Sequence, residues 1–239
     1  MYKGKTISIV IPVYNEEDFI VSVINNVPNF VDRIYIVDDG SPDRTVGIVK
    51  TLNHSLVTLI QHETNHGPGA ALSTGYQAAL EDNMDIVVKI DGDDQMPSDQ
   101  IENLIMPIVE GKVDYTKGDR LSSSQHRRGM PRFRLFGNLL LTGLTRIASG
   151  CWHLSDSQNG FTAISKKALE TVNLNLYPCY GYLNDLLIQL NVHHFKVSDV
   201  PMLAKYGKEK SSIRLKTYIP KISLLLLTRF LWRLRMKYF

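Results

Sequence analysis

The sequence is poor in several things, and each absence narrows the reading. It has only two cysteines, Cys151 and Cys179, among 239 residues. Neither sits at a metal-ligand spacing, so two reduced thiols are expected rather than a disulfide scaffold or a zinc ribbon. No stretch reaches the ~20 apolar residues that span a bilayer. The nearest, residues 219–234, is interrupted by Lys221, Arg229 and Arg233. No signal peptide is expected, because the first apolar run, residues 7–11, is short and stops at Pro12. The net charge is only +3, so nucleic acid is not an expected partner. A Gly-x-Ser-x-Gly elbow and a P-loop lysine motif are missing, which argues against a serine hydrolase and an ATPase. The segment His66-Gly67-Pro68-Gly69-Ala70-Ala71 also misses the dinucleotide fingerprint, since the next glycine arrives only at Gly75. No internal repeat or low-complexity linker divides the chain.

What is present fits one large α/β domain, or one domain over residues 1–212 plus a short amphipathic appendage at 213–239. Short β-branched runs at 7–11, 33–37, 56–61 and 85–90 alternate with helical patterns at 16–27, 43–52 and 69–80. That alternation predicts a mainly parallel, doubly wound sheet. The helix at 69–80 is rich in Gly and Ala, which should let it lie close to the sheet. Further along, helices are expected at 99–109 (bent or cut short by Pro107), 131–149, 166–172, 183–192 and 219–236. Strands are expected at 113–118, 161–165 and 197–201, the last at a sheet edge. The helix at 219–236 should carry leucine on one side and arginine on the other.

In such sheets ligands bind at the carboxyl ends of the strands, and the acids Asp38, Asp39, Asp91 and Asp93 all fall there. Asp91 and Asp93 flank a small Gly92; in an extended strand end their carboxylates would point the same way. Two hard oxygen ligands suit Mg²⁺ or Mn²⁺ carrying a diphosphate. Asp94 is expected to cap the helix that follows. Asp43 should cap the helix after Asp38-Asp39-Gly40-Ser41-Pro42, and Asp39 can accept from a base imino N–H or ribose hydroxyls. The histidines, including His62 and His66, lack metal-helix spacing and are expected to be ordinary surface or core residues.

Four segments in order now carry a resemblance: Ile9-Val10-Ile11-Pro12-Val13-Tyr14-Asn15-Glu16, Val37-Asp38-Asp39-Gly40-Ser41-Pro42-Asp43-Arg44-Thr45, the stretch 67–75, and Asp91-Gly92-Asp93-Asp94-Gln95. Together they resemble family 2 glycosyltransferases with the GT-A fold. Gly118-Asp119-Arg120, the stretch from Arg134 to Asn138, and Asp156-Ser157-Gln158-Asn159-Gly160-Phe161 look like the branch that glycosylates dolichol or polyprenyl phosphate. The resemblance covers roughly residues 5–215.

The resemblance implies inverting transfer from a UDP- or GDP-linked sugar at the cytoplasmic face of a membrane. Pro12, Tyr14, Glu16, Val37 and Asp39 would hold the nucleoside. Asp91, Asp93 and Gln95, with Gly92 between the acids, would hold the metal and diphosphate. Arg120, Lys205 and Lys210 would help on the phosphates. Arg134 with Gly137 and Asn138 matches the acceptor-phosphate position, where many relatives have serine in place of Asn138; Arg132 stands beside it. Asp185 sits where enzymes that glycosylate hydroxyls carry a base, and Asp156 is either catalytic or organises its loop. A lipid monophosphate has a second pKa near ~6, so it needs positioning rather than a base, whereas a sugar hydroxyl needs one. The competing expectations are therefore a family 2 enzyme acting on a sugar hydroxyl, a non-catalytic nucleotide-sugar-binding domain, and a nucleotidyltransferase. The apolar stretch 135–147 and the C-terminal helix are expected either to pack as core helices or to dock in the membrane interface, with Arg229, Arg233, Arg235 and Lys237 at headgroups.

Overall fold

A computed structural model describes residues 1–123, 132–203 and 215–238. Lys205 and Lys210 lie outside the described residues. The chain begins with β1 (Ile7–Val13), α1 (Ile20–Asn25), β2 (Arg33–Asp38), α2 (Thr45–Leu52), β3 (Val57–Gln61), α3 (Pro68–Glu81) and β4 (Ile86–Lys89). A single 3-10 turn, Ser98–Gln100, leads into α4 (Ile101–Val109), then β5 (Tyr115–Asp119) and α5 (Arg132–Ser149). The rest is β6 (Thr162–Ser165), α6 (Lys166–Thr171), α7 (Tyr182–Val192), β7 (Val197–Pro201) and α8 (Leu215–Tyr238).

The seven strands form one sheet in the order β3-β2-β1-β4-β6-β5-β7. β3, β2, β1 and β4 run parallel, and β5 is parallel to the edge strand β7. β6 is antiparallel to both neighbours, β4 and β5. The expected mainly parallel sheet is therefore present, with one reversed strand in its middle. Alternating residues explain its two covered faces. Ile7, Ile9 and Ile11 of β1 pack with Ile20, Val23 and Ile24 of α1 and with Leu104 and Ile105 of α4. Val10 points the other way, to Leu72 and Tyr76 of α3 and Leu186 of α7. Period-2 alternation on a strand covered from both sides gives such a pair of cores. α3 lies against β1 at Gly75, where an added Cβ would come within 2.3 Å of Val10 Cγ1.

Two helices start later than the periodicity predicts, for one reason. The loops after β1 and β2 are tied to each other rather than wound into helix. The amides of Asn15, Glu16 and Glu17 donate to Ser41 Oγ, Thr45 Oγ1 and Asp43 Oδ2 at 3.0, 3.0 and 3.2 Å. Asn15 takes φ 60° to make this possible. Asp43 accepts from the Thr45 amide at 3.0 Å two residues on, so it makes a turn ahead of α2 rather than capping it directly.

α8 is docked, not detached. Ile222, Leu225 and Leu226 form a third core with Ala148 of α5 and Ile188 of α7. The expected division of leucine and arginine onto opposite sides of this helix is corrected. Leucines occupy both sides, with Leu224, Leu227 and Leu231 exposed. Arg229 turns inward to Asp185, and Arg233 donates to the Ile147 carbonyl at 3.1 Å, so neither is a headgroup ligand in this arrangement.

Candidate functional site

The carboxyl ends of β1, β2 and β4 bring the first group of candidate residues together. Pro12 and Val37 are register partners on adjacent strands. The Asp39 amide donates to the Val13 carbonyl at 2.9 Å, which continues the pairing past the strand. Tyr14 is 45% exposed at this rim, free to offer a ring to a ligand. Glu16 closes one side: an added Cβ on Gly92 would meet Glu16 Cγ at 3.0 Å and Val13 Cγ1 at 2.9 Å. The Asp91–Gln95 turn is thus pressed against the end of β1.

Asp91 and Asp93 do not extend the strand as expected. β4 ends at Lys89, and the acids occupy a turn in which Asp94 has φ 56°. Two neighbours shape that turn. Asp94 accepts from Ser22 Oγ of α1 at 2.7 Å, so it anchors the turn rather than capping a helix. Asp93 Oδ1 accepts from the Gln95 amide at 3.2 Å. Among the described residues no group of three or more His, Cys, Asp or Glu side chains is placed to hold a metal ion. A hard cation that arrives on a diphosphate needs fewer protein ligands, one or two carboxylates, with substrate oxygens and water completing the shell. Asp91 and Asp93 fit that case.

Asp39 is buried and already well occupied. It accepts from His62 Nδ1 at 2.8 Å, from the His66 amide at 2.9 Å and from the Gly67 amide at 2.7 Å. His62 also reaches Thr74 Oγ1 at 2.9 Å. His62 is thus a half-buried residue held between Asp39 and Thr74. The network ties the loop before α3 to the end of β2.

The second group lies around the segment after Cys151. Asp156 is fully buried and meets Arg120 through Oδ2–Nε at 2.7 Å and Oδ1–Nη2 at 3.1 Å. Burial alone would raise its pKa; the guanidinium outweighs that and holds the carboxyl below its ordinary value. Ser157 and Gln158 extend the network to Thr142 of α5 and Asn184 of α7 at 3.1 Å each. Of its two expected roles, Asp156 has the partners of a residue that organises its loop.

Asp185 is also fully buried, and its carboxylate faces α8. Arg229 contacts it at 2.8 Å through Nε and 3.0 Å through Nη2, and the Tyr177 amide donates at 3.0 Å. Burial pushes the carboxyl pKa up and Arg229 pulls against it, leaving it above the ordinary value. A base must reach the proton it takes, and this carboxylate is closed off by the helix docked on it. Arg132, Arg134, Gly137 and Asn138 all fall in the first turns of α5. Gly137 has open space around its α-carbon.

Lys89 was not singled out by sequence reasoning. Its side chain is 1% exposed, and its ammonium is bonded to Asp91 Oδ1 and lies 5.8 Å from the centre of the Tyr182 ring. The sequence did hold a signal: a lysine in the apolar run Ile86-Val87-Val88-Lys89-Ile90 requires a buried partner.

Comparison with known proteins places this geometry. The family profile described as "Glycosyl transferase family 2" matches residues 8–172. The chain is 35% identical over 218 residues to a UDP-N-acetylglucosamine–dolichyl-phosphate N-acetylglucosaminyltransferase of Methanococcus voltae, covering 84% of this chain and 86% of the relative. It is 25% identical over 201 residues, 81% of this chain and 75% of the relative, to a polyprenol monophosphomannose synthase of Mycolicibacterium smegmatis. In fold it is similar to glucosyl-3-phosphoglycerate synthase of Mycobacterium tuberculosis, solved with Mn²⁺, UDP and phosphoglyceric acid, at TM-score 0.72 and 22% identity, over 96% of this chain and 78% of that one.

Proposed function

The chain belongs to glycosyltransferase family 2, and from that premise we propose that it moves a hexosyl or N-acetylhexosaminyl group, with inversion, from a nucleotide-diphosphate sugar to a polyprenyl (dolichyl) phosphate. The observation that carries the choice of acceptor is the closure of both candidate bases. Asp185 is tied to Arg229 and Asp156 to Arg120. Of the two carboxylates singled out as bases for an acceptor hydroxyl, neither is open to take its proton. A lipid monophosphate, with a second pKa near ~6, is already largely a dianion at neutral pH and needs none. The balance is simple: the anomeric carbon–diphosphate bond breaks, a carbon–oxygen bond forms to the acceptor phosphate, and no proton is removed. The Methanococcus voltae relative, named for a UDP-sugar and dolichyl phosphate, supports a UDP-linked donor.

In this reading Pro12, Tyr14 and Glu16 hold the nucleoside at the ends of β1 and β2, and the buried Val37 and Asp39 shape that site from behind. Asp91 and Asp93, with Gln95, would hold Mg²⁺ or Mn²⁺, which when bound neutralises charge growing on the leaving diphosphate. Arg120, fixed in direction by Asp156, would contribute to the phosphate site at the end of β5. The start of α5 receives the acceptor phosphate through Arg132, Arg134, Gly137 and Asn138. Arg134→Ala should lower kcat/KM for polyprenyl phosphate by about 10²-fold, on the scale of a lost charged contact. Nucleotide binding by the same variant, read by calorimetry, should be unchanged; an unaltered kcat/KM would remove α5 from the acceptor site.

The acceptor is a membrane lipid, and the outward faces of α5 and α8 suit a membrane surface. Phe136, Leu139, Leu140, Leu144 and Ile147 of α5 are exposed, as are Leu224, Leu227 and Leu231 of α8. No described helix is long and apolar enough to cross a membrane. We read α8 as lying on the cytoplasmic face, with its exposed Leu224, Leu227 and Leu231 in the headgroup–acyl boundary and Arg235 and Lys237 near anionic lipid. Replacing Leu227 and Leu231 together by Glu should weaken flotation with anionic vesicles by about tenfold or more, from lost apolar burial. Undiminished flotation would contradict this placement.

A further inference from the structure

Lys89 is a buried charge on β4, two residues before the acid pair. Its position is over-determined. Its backbone is held in register opposite Thr162 of β6, its ammonium is bonded to Asp91 Oδ1, and Tyr182 of α7 covers it. Space for the ammonium depends on Gly160. A Cβ there would lie 2.6 Å from Lys89 Nζ and 3.3 Å from Asp91 Oδ2. Among the described residues Asp91 is its one ion-pair partner. Asp91 itself is 40% exposed, so one end of its carboxylate meets the lysine while the group still opens to solvent.

A fixed lysine costs desolvation and forgoes the hydration of a surface ammonium, so its placement against a metal-ligand carboxylate calls for a reason. Two acids alone form a site of net charge −2 that would attract any free divalent cation. With Lys89 in place the cluster of three carries −1. A unit charge one carboxylate away from a divalent ion is worth about tenfold in affinity even under water-like screening. The same charge attracts a diphosphate.

Resting on the glycosyl-transfer reading above, we propose that Lys89 is a positioning and charge-balancing residue that makes the Asp91–Asp93 pair hold a bare cation weakly and favour a cation that arrives on a nucleoside diphosphate. The lysine engages Oδ1 of Asp91, while the Asp91 side chain as a whole stays 40% exposed to an arriving ligand. It also offsets enough negative charge that the diphosphate must complete the site. Gly160, within the segment Asp156-Ser157-Gln158-Asn159-Gly160-Phe161, keeps room for this arrangement.

The test is binding, not turnover. Mn²⁺ alone is titrated by electron paramagnetic resonance, and UDP by calorimetry without metal and with Mn²⁺, for the full chain and for Lys89→Met. The expected result is a split in sign. Lys89→Met should bind free Mn²⁺ about tenfold more tightly and bind metal-free UDP several-fold more weakly. A lysine that only holds the fold would give losses in both, or no change in either, and either outcome overturns the proposal. Should Lys89→Met not fold, Gly160→Ala carries the test, since its methyl must push the ammonium off Asp91. It should shift both affinities in the same two directions by smaller factors, and an unshifted pair of affinities overturns the proposal. Failure of the unaltered protein to bind UDP with Mn²⁺ would instead strike the glycosyl-transfer reading itself, which separates the two.

Discussion

Asp93→Asn should reduce sugar transfer by about 10³-fold while leaving the protein folded. The expected size follows from what the residue would do. A carboxylate that helps hold a divalent cation acts on charge that develops as the diphosphate leaves, and loss of one such preorganised electrostatic contact costs about 10²–10³ in turnover. Removal of a whole charge from a two-acid site belongs at the upper end. The structure also predicts that stability changes little. Asp93 sits in a surface turn where its Oδ1 accepts from the Gln95 amide, and asparagine retains an oxygen for that bond. The check is initial rate with saturating donor and acceptor, together with a thermal melt. Raising Mn²⁺ should restore part of the rate. A variant with near-normal turnover at low metal would remove the acid pair from the chemistry.

Asp185→Asn should behave in the opposite way, with a large loss of stability and little loss of turnover per folded molecule. Asp185 is fully buried and holds Arg229 through two contacts. Breaking one partner of a buried pair costs about 3–5 kcal/mol, because it strands the other charge. For a chain of this size each kcal/mol lowers the melting temperature by roughly 2–4 °C, so a fall of about 6–20 °C is expected. Arg229→Met should share the phenotype, since it breaks the same tether between α7 and α8. If instead Asp185→Asn melted normally and lost turnover, Asp185 would be acting as a base, and the acceptor would be a hydroxyl.

The two variants also show which parts of the molecule could be read from residue order. The acid pair was legible because a strand pattern and a doubled carboxylate occur together at residues 86–93. Its shape was not. The turn depends on Ser22 reaching Asp94 from α1, 72 positions away in the chain, and on the buried Lys89 pairing with Asp91. The early half of the sheet was legible for a similar reason: strands and helices alternate there at short range. The reversed strand β6 is only Thr162–Ser165, and its insertion between β4 and β5 is decided by tertiary pairing that no local pattern encodes. Arg229 was misplaced at the membrane because a basic run beside leucines reads as an interfacial face. Its partner Asp185 lies 44 residues earlier, and only packing of α8 on α7 brings them together. In the same way Asp156 and Arg120, 36 positions apart, could each be named as a candidate while their pairing could not.

The central claim is transfer to a lipid phosphate, and product analysis tests it most directly. The protein is incubated with Mn²⁺, a polyprenyl phosphate and, in turn, UDP-N-acetylglucosamine, UDP-glucose and GDP-mannose, and the lipid fraction is weighed by mass spectrometry. The account predicts a polyprenyl phosphate heavier by one sugar residue with at least one donor, with release of the matching nucleoside diphosphate, and loss of both on chelation of the metal. Sugar transfer found only on a saccharide hydroxyl, with the polyprenyl phosphate unchanged, would contradict it.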